Sequence, residues 1–315
     1  MSDLALAVFA SRTGAHLIQP PTGGTWRTHL RTFDPAAYAR ELAASGLRFL
    51  GRAQLPPLLA AISDPPPGLF LRGNGDPAIL AERAVAIVGA RQCSGYGATV
   101  ARMLGRELAA SGLVVVSGLA RGVDAEAHRG ALDAGGITIG VLGCGIDRDY
   151  PAAHAELARR VAATGLVVSE YAPGVEPSPW RFPARNRIIA GLCAATVVVE
   201  ARDRSGALIT ADLALEEGRE VLAVPGEIGS SLSAGTNALL KLGAAPLTSA
   251  ADVLAAYGLT PAPGVEHEGL LDLLPATADE LVTRTGRSAA EVGRELTELE
   301  LAGHIGERDG IYRLQ

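Results

Sequence analysis

Residues 1–62 mix apolar and polar positions without a sustained alternation; AAYARELAASG (36–46) and LPPLLAAIS (55–63) read as helical within this Ala-rich region. The Pro-rich segment SDPPPGLFLRGNGDP (63–77) then reads as a linker. Beyond it the pattern changes to short apolar runs separated by amphipathic, Gly-punctuated stretches. The runs are AVAIVGA (84–90), LVVVSG (113–118), TIGVLG (138–143), LVVSEY (166–171), ATVVVEA (195–201) and EVLAVPG (220–226). They are rich in β-branched residues and do not alternate, which suits strands buried on both faces. TVARMLGRELAASG (99–112) and PAAHAELARRVAATG (151–165) between them have helical spacing. Alternating strands and helices imply right-handed crossovers and a mostly parallel sheet. The fold class is therefore α/β: a helical region over 1–62, then an extended Rossmann-like sheet domain over 63–260.

After ADVLAAYG (251–258), TPAPGVEHEG (260–269) is a second Pro/Gly linker. In the tail, Thr277 with Glu280 and Ser288 with Glu291 have the spacing of capping boxes, and Gly286 and Gly303 stop the helices these begin. Asp309-Gly310 between IGER and IYRL is a hairpin turn signal. Three helices and a hairpin predict a C-terminal winged-helix module over 264–315.

Composition adds a soluble character. Of the 315 residues 48% are hydrophobic, and no apolar stretch approaches the roughly 20 residues of a membrane span. The start, MSDLALAVFASRTGAH, lacks a basic leader region, so a cytoplasmic protein with no membrane association is expected. Cys93, Cys144 and Cys193 are widely spaced in or beside apolar runs, which supports neither a zinc site nor a disulfide framework. The net charge of −6 argues weakly against nucleic acid until it is located: residues 264–315 hold 5 basic and 11 acidic residues, and residues 1–263 hold 23 of each. A balanced body can still carry a local arginine cluster. Lys241 is the single lysine among 28 basic residues, a bias that genome composition explains.

Candidate chemistry gathers at the strand ends. GARQCSGYG (89–97) follows the first core strand, where α/β folds bind ligands, and the N–H groups of the next helix would attract phosphate. It is not a clean G-x-G-x-x-G, since only Gly95 and Gly97 are so spaced, and the second strand ends Ser117-Gly118 rather than in a ribose-binding acid. A dinucleotide is disfavoured and a Walker A motif is excluded, because the one lysine is followed by Leu242. No cofactor and no metal are expected. Arg91 adds a positive charge to this loop, or is a plain surface arginine. SGLARGVDAEAHRGAL (117–132) offers Gly118, Arg121 and Gly122 as a second anion-cradling turn. Asp124 and His128 within it form either a dyad or, as favoured, a structural pair. GCGIDRDYP (143–151) carries Asp147 and Asp149, weak metal candidates that read better as a solvated loop. Arg181, Arg185 and Arg187 fall beside Trp180, Phe182 and Asn186, the strongest local cue to nucleic acid: guanidinium forks grip phosphates, and aromatic planes stack on bases. Glu200 is either an acid catalyst or a buried hydrogen-bond anchor, and Ser205-Gly206 opens another helix with free N–H groups.

These stretches resemble the DNA-processing protein A (DprA/Smf) family, bacterial proteins of natural transformation. The resemblance runs through AIVGARQCSGYG (86–97), SGLARGVDAEAHRGAL, VLGCGIDRDYP (141–151), SEYAPG (169–174) and FPARNRIIAGL (182–192). It continues through SGALITADLALEEGREVLAVPG (205–226) and GTNALLKLGA (235–244). It implies a non-catalytic protein that binds single-stranded DNA, forms a homodimer and loads the RecA recombinase. It also implies DNA-binding positions at Gly89, Arg91, Ser94, Gly118, Arg121, Gly122, Arg185, Asn186, Arg187, Ser205 and Gly206. Members often carry a lysine after the YP of the third-strand motif, where this chain has Ala152, and residues 1–50 show no clear G-h-G hairpin pattern. The alternative is a nucleotide-processing enzyme of phosphoribohydrolase type, whose P-G-G-x-G-T motif is absent; PGEIGSS (225–231) is the nearest string. A third reading is a dimeric protein scaffold using the acidic tail and the apolar segment 207–226.

Overall fold

The computed structural model describes residues 2–14, 19–260, 270–301 and 303–314. Ser2 caps the first helix, α1 (Asp3–Thr13), by accepting from the Ala5 N–H, and Gly14 ends it in the left-handed region. After α2 (Gly24–Thr32), Asp34 accepts from the Ala36 and Ala37 N–H groups to start α3 (Pro35–Ala44). These helices bury Leu6 and Phe9 of α1 against Trp26 of α2.

The helical N-terminal region ends earlier than its sequence suggests. Strand β1 (Leu47–Gly51) pairs antiparallel with β2 (Gly68–Arg72), and the short helix α4 (Pro57–Ala60) lies between them. The sheet domain thus includes residues upstream of the boundary expected at 63. Strand β2 lies inside the segment that reads as a linker, yet Leu69, Phe70 and Leu71 are fully buried. Prolines before it and glycines after it mask a strand of five residues. Gly68 fits because a Cβ there would collide with the Phe49 ring.

Each of the six apolar runs supplies one strand of the same sheet: β3 (Ala84–Val88), β4 (Val114–Ser117), β5 (Thr138–Val141), β6 (Leu166–Ser169), β7 (Ala195–Val198) and β8 (Glu220–Ala223). With β9 (Ala245–Pro246) they form nine strands in the order β1-β2-β6-β5-β4-β3-β7-β8-β9, parallel from β6 to β9. The connecting helices are α5 (Gly95–Ala110), α6 (Val123–Asp133), α7 (Ala155–Thr164), α8 (Arg181–Leu192), α9 (Gly206–Glu216), α10 (Ala234–Lys241) and α11 (Ala250–Ala256). Apolar residues of α8, α9, α10 and α4 fill one face, and those of α5, α6 and α11 fill the other. Helix α7 packs with α1 in a third cluster through Leu157, Val161, Leu4 and Val8. The chain winds from β3 outward to β6, then returns to place β7 on the other side of β3. The topological switch point therefore lies between β3 and β7, at their carboxyl ends.

The C-terminal unit has its own core of Leu270, Leu273, Leu281, Val292, Leu296 and Ile305. It comprises β10 (Ala276–Thr277), α12 (Ala278–Thr285), α13 (Ala289–Leu301), β11 (Ile305–Arg308) and β12 (Ile311–Leu314), with sheet order β10-β12-β11. Both capping boxes are present: Thr277 with Glu280, and Ser288 with Glu291. Asp309 and Gly310 take the positive φ values that a two-residue hairpin turn requires. The second Pro/Gly linker falls largely on residues 261–269, outside the described residues. Among the described residues no helix is long and apolar enough to cross a membrane. Cys144 and Cys193 are buried free thiols, and Cys93 is half-buried.

Two layers are pinned by one polar contact. The Thr138 hydroxyl of β5 donates to the Val115 carbonyl at 2.7 Å, so the His128 Nδ1 of α6, also 2.7 Å away, must donate to Thr138. Burial pushes the His128 imidazole down to about 3, reinforced by Arg185 and His154. The unfolded ring titrates near 6.5, so the unfolded state binds a proton that the folded state excludes. Stability present at neutral pH is lost as pH falls from 6.5 toward 3. Urea denaturation across this interval is expected to show a shallower pH slope in His128→Leu than in the parent chain, although the variant is less stable at neutral pH; parallel slopes would refute the assignment.

Candidate nucleic-acid interface

At the switch point the expected phosphate seat is already filled. The Ser94 hydroxyl accepts from the Gly97 N–H at 3.0 Å, capping α5, and donates to a Glu200 oxygen at 2.5 Å. The Ser94 N–H donates to the second Glu200 oxygen at 2.9 Å. A Cβ on Gly97 would collide with this carboxylate. Glu200 is buried just beyond β7, so the positive end of α5 holds an anion supplied by the protein itself. Of its two readings, the geometry is that of the buried anchor. Ser94, expected to contact DNA, has its N–H and hydroxyl committed to Glu200 and the helix cap.

The neighbouring loop, between β4 and α6, exposes Arg121 while Gly118 and Leu119 are buried. Gly122 has φ +74 and Leu119 φ +58, and α6 begins without a side-chain cap. A Cβ on Gly122 would strike the Ala90 carbonyl, and the Val123 N–H donates to that oxygen at 3.2 Å. The backbones of the loops after β3 and β4 therefore touch, which sets Arg91 and Arg121 on adjoining loops. Both are exposed, and among the described residues neither forms an ion pair. Gly89 lies at the root of the first loop, where a Cβ would meet Val123.

Arg185, Asn186 and Arg187 sit on α8 and point inward, contrary to the expectation that they meet a ligand. Arg185 is 4% exposed; its Nη1 donates to the Gly118 carbonyl at 2.8 Å and to the Val141 carbonyl, and its Nε to Asn186 at 3.2 Å. Gly118 leaves room for this guanidinium, which a Cβ would hit. Burial pushes the Arg185 guanidinium down to about 10, a fall opposed by Asp124 and deepened by Arg91. Asp124, itself buried, accepts from the Ala120 N–H at 3.3 Å; burial raises its carboxyl and Arg185 opposes the rise. It is thus a structural counter-charge, and no dyad forms with His128, whose Nδ1 is bound to Thr138. Asn186 donates to the Gly206 carbonyl at 3.1 Å. Arg187 grips Glu170 through both nitrogens at 3.0 and 2.7 Å and reaches Asp64 at 2.9 Å. Ser205 caps α9, accepting from the Ala207 N–H at 3.3 Å, with Gly206 exposed beside it. These two lie across β3 on the β7 side, linked through Asn186 and Arg185 to Gly118 of the Arg121 loop.

The metal candidates are consumed as well. Asp147 accepts from the Gly174 N–H and Asp149 pairs with Arg72 at 2.6 Å; no metal-holding cluster occurs among the described residues. Sequence reading missed the aromatic stack above β5. Tyr150 and Phe182 are stacked at 5.2 Å between centroids, and the Arg91 guanidinium lies 5.3 Å from the Phe182 centroid. The cue was present as Tyr150 in the loop after β5 and Phe182 at the start of α8, residues whose proximity the sequence does not report. Ala152, exposed next to Tyr150, brings no charge.

Two stability predictions follow from these ties. Arg187→Ala would strand buried Glu170 and is expected to cost about 3–5 kcal/mol in urea denaturation. Glu200→Ala, leaving Ser94 without its acceptor, is expected to cost about 1–3 kcal/mol, part of it recovered on adding inorganic phosphate to the vacated helix terminus. Unchanged stability would show that Glu200 is not the anchor of this loop.

Comparison with known proteins bears on the same residues. The family profile "DNA recombination-mediator protein A" matches residues 47–258, and that of the DprA winged helix domain matches residues 260–310. The chain is 48% identical over 199 residues to the DNA processing protein DprA of Streptococcus pneumoniae, covering 63% of this chain and 70% of that one. The crystal structure of the S. pneumoniae protein superposes with a TM-score of 0.70 at 38% identity, over 81% of this chain and 93% of that one. DNA processing protein A from Helicobacter pylori, whose structure is described for its single-stranded DNA binding mode, gives a TM-score of 0.61 at 31% identity, over 67% of this chain and 95% of that one.

Proposed function

The chain belongs to the DNA recombination-mediator protein A (DprA/Smf) family, and from that premise we propose that it binds single-stranded DNA at the carboxyl ends of β3, β4 and β5. The observation that carries the reading is the pair of exposed, unpaired guanidinium groups of Arg91 and Arg121 on touching loops, with the Tyr150–Phe182 stack beside them. Guanidinium groups grip phosphates, and exposed aromatic faces accept unpaired bases of any sequence. The turn through Gly118 and Gly122 completes the site by holding the two loops together, with the Ala120 and Val123 N–H groups committed to Asp124 and the Ala90 carbonyl. Arg185, Asn186 and Arg187 act from behind it by fixing loop positions, Glu170 and the start of α9. Ser94, with Gly89, shapes the first loop; Ser205 and Gly206 form an outer edge.

The protein passes bound strands to RecA during natural transformation and recombination, as a cytoplasmic homodimer without catalytic activity. Ile209 and Leu215 of α9 are exposed, and Leu242 after α10 is 83% exposed. Apolar side chains on neighbouring helices at one end of the sheet support pairing of two copies there. The winged-helix module serves protein contact or regulation. Its helix α13 carries Glu291, Glu295, Glu298 and Glu300 against Arg294, and carboxylates repel phosphates. The rival enzyme reading is weakened at the switch point, where Glu200 occupies the position a nucleotide phosphate would need.

Fluorescence anisotropy with labelled single- and double-stranded oligonucleotides tests the proposal. Binding is expected to be salt-sensitive, indifferent to sequence and tighter for single strands. Arg91→Ala and Arg121→Ala should each weaken it about tenfold and reduce the salt slope by about 0.7. Deletion of residues 264–315 should leave affinity unchanged or raised. Equal affinity of the two arginine variants and the parent chain at moderate salt would remove these loops from the site. Hydrolysis of a nucleotide monophosphate would favour the enzyme instead.

A further inference from the structure

We propose that Trp180, Arg181 and Tyr171 form a second base-stacking subsite above β6, one strand beyond the Arg91–Phe182–Tyr150 stack, so that bound DNA runs across the strand ends toward the end of α1. The inference rests on the single-stranded DNA reading and extends it to a path. Trp180 immediately precedes α8 and is 45% exposed, an unusual position for the largest apolar side chain in a chain with two tryptophans. It is also held in place. The Arg181 guanidinium lies 5.0 Å from the Trp180 centroid and 5.1 Å from that of Tyr171, and it is fixed by a hydrogen bond to the Glu176 carbonyl. Tyr171, buried behind it, meets Trp180 edge-on at 6.3 Å.

A rigid indole that keeps an open surface is a preorganised stacking platform, because a base can land on it without ordering a flexible side chain. The adjacent guanidinium adds a positive charge for the flanking phosphate. Phe182 belongs to the first stack, so consecutive residues 180–182 feed both platforms at the start of α8. Neighbouring strands lie about 4.8 Å apart, which puts the second platform one step further along the row β3-β4-β5-β6. A Cβ on Gly14, at the end of α1, would stand 3.9 Å from the Trp180 indole, so the row ends against the N-terminal helices. Stacking requires an unpaired base, which makes this subsite selective for single strands over duplex.

The two tryptophans make the test direct. Trp26 is buried and stacked on His29, so Trp26→Phe leaves Trp180 as the sole indole reporter in the otherwise full chain. Titration of this variant with an oligothymidylate of about twenty nucleotides should quench its fluorescence in parallel with the anisotropy change. In the parent background, Trp180→Ala should weaken binding of that oligomer roughly five- to hundredfold and leave a tetramer of about four nucleotides nearly unaffected, while Trp180→Phe keeps most of the affinity. Anisotropy binding without quenching overturns the subsite, as does equal affinity of Trp180→Ala and the parent for both lengths. A loss shared equally by duplex and single strand also overturns it, and points to a protein-facing or structural role. Absence of any oligonucleotide binding in the parent chain sinks the underlying DNA reading itself and is seen before any variant is compared.

Discussion

The arrangement of the loops after β3 and β4 depends on one buried charge. Arg185 enters the sheet's carboxyl edge from α8 and bonds the carbonyls of Gly118 and Val141, the chain just beyond β4 and the end of β5. A guanidinium taken out of water is tolerated only while its donors are matched and a counter-charge is near, and Asp124 supplies that charge. Asp124 in turn holds the Ala120 N–H. The bend through Gly118, Leu119 and Gly122 is therefore fixed from below. Arg121 is presented outward on that bend, while the contact of Gly122 with Ala90 sets the height of Arg91. The buried arginine does for the loops what a bound metal does elsewhere: it makes two backbone oxygens and a side-chain amide converge.

A second constraint decides which loops remain available. In doubly wound sheets the switch point is the usual ligand crevice, and its helix terminus the usual phosphate seat. Here Glu200 closes that seat from across the sheet by taking both the N–H and the hydroxyl of Ser94. The helix start without a side-chain cap is then that of α6, one strand further from β7. A sheet topology familiar from nucleotide binding is in this way left with its usual phosphate seat filled and with Arg91 and Arg121 exposed on the adjoining loops.

Local chemistry was legible in the sequence, and long-range pairing was not. Each of the six apolar runs is a strand of one sheet, and both capping boxes and the Asp309-Gly310 turn form as their spacing indicates, because each is decided within a few residues. Strand β2 was hidden because its flanking prolines and glycines outweigh five residues of strand. The arginines of α8 illustrate the other limit. RNR reads as a phosphate grip, but Glu170 and Asp64 lie 17 and 123 residues away in the chain and capture Arg187. Ser94 and Glu200 are 106 residues apart. No period or motif reports that a side chain has been claimed by a partner so distant, whereas an arginine left unclaimed, such as Arg91, looks the same in the sequence.

That difference between claimed and unclaimed groups also resolves the charge. The excess of acid sits in residues 264–315, and in the sheet domain many carboxylates are already neutralised: Asp149 by Arg72, Asp133 by Arg102, Glu170 and Asp64 by Arg187. On the proposed reading, a strand crossing the ends of β3 and β4 meets part of the remainder, Arg91 and Arg121, which form no ion pair among the described residues and sit on adjoining loops. Both the missing lysine at Ala152 and the near-absence of lysine elsewhere bear on how that remainder works. Lysine offers a hydrated point charge, while arginine offers a plane that lies on rings. Arg91 rests on Phe182, and Arg181 rests between Trp180 and Tyr171. On the proposed reading, an arginine placed in this way offers its charge to a phosphate while its aromatic partner offers a face to an unpaired base, so positive charge and base stacking come from the same contacts and the net charge of the whole chain has little bearing on binding.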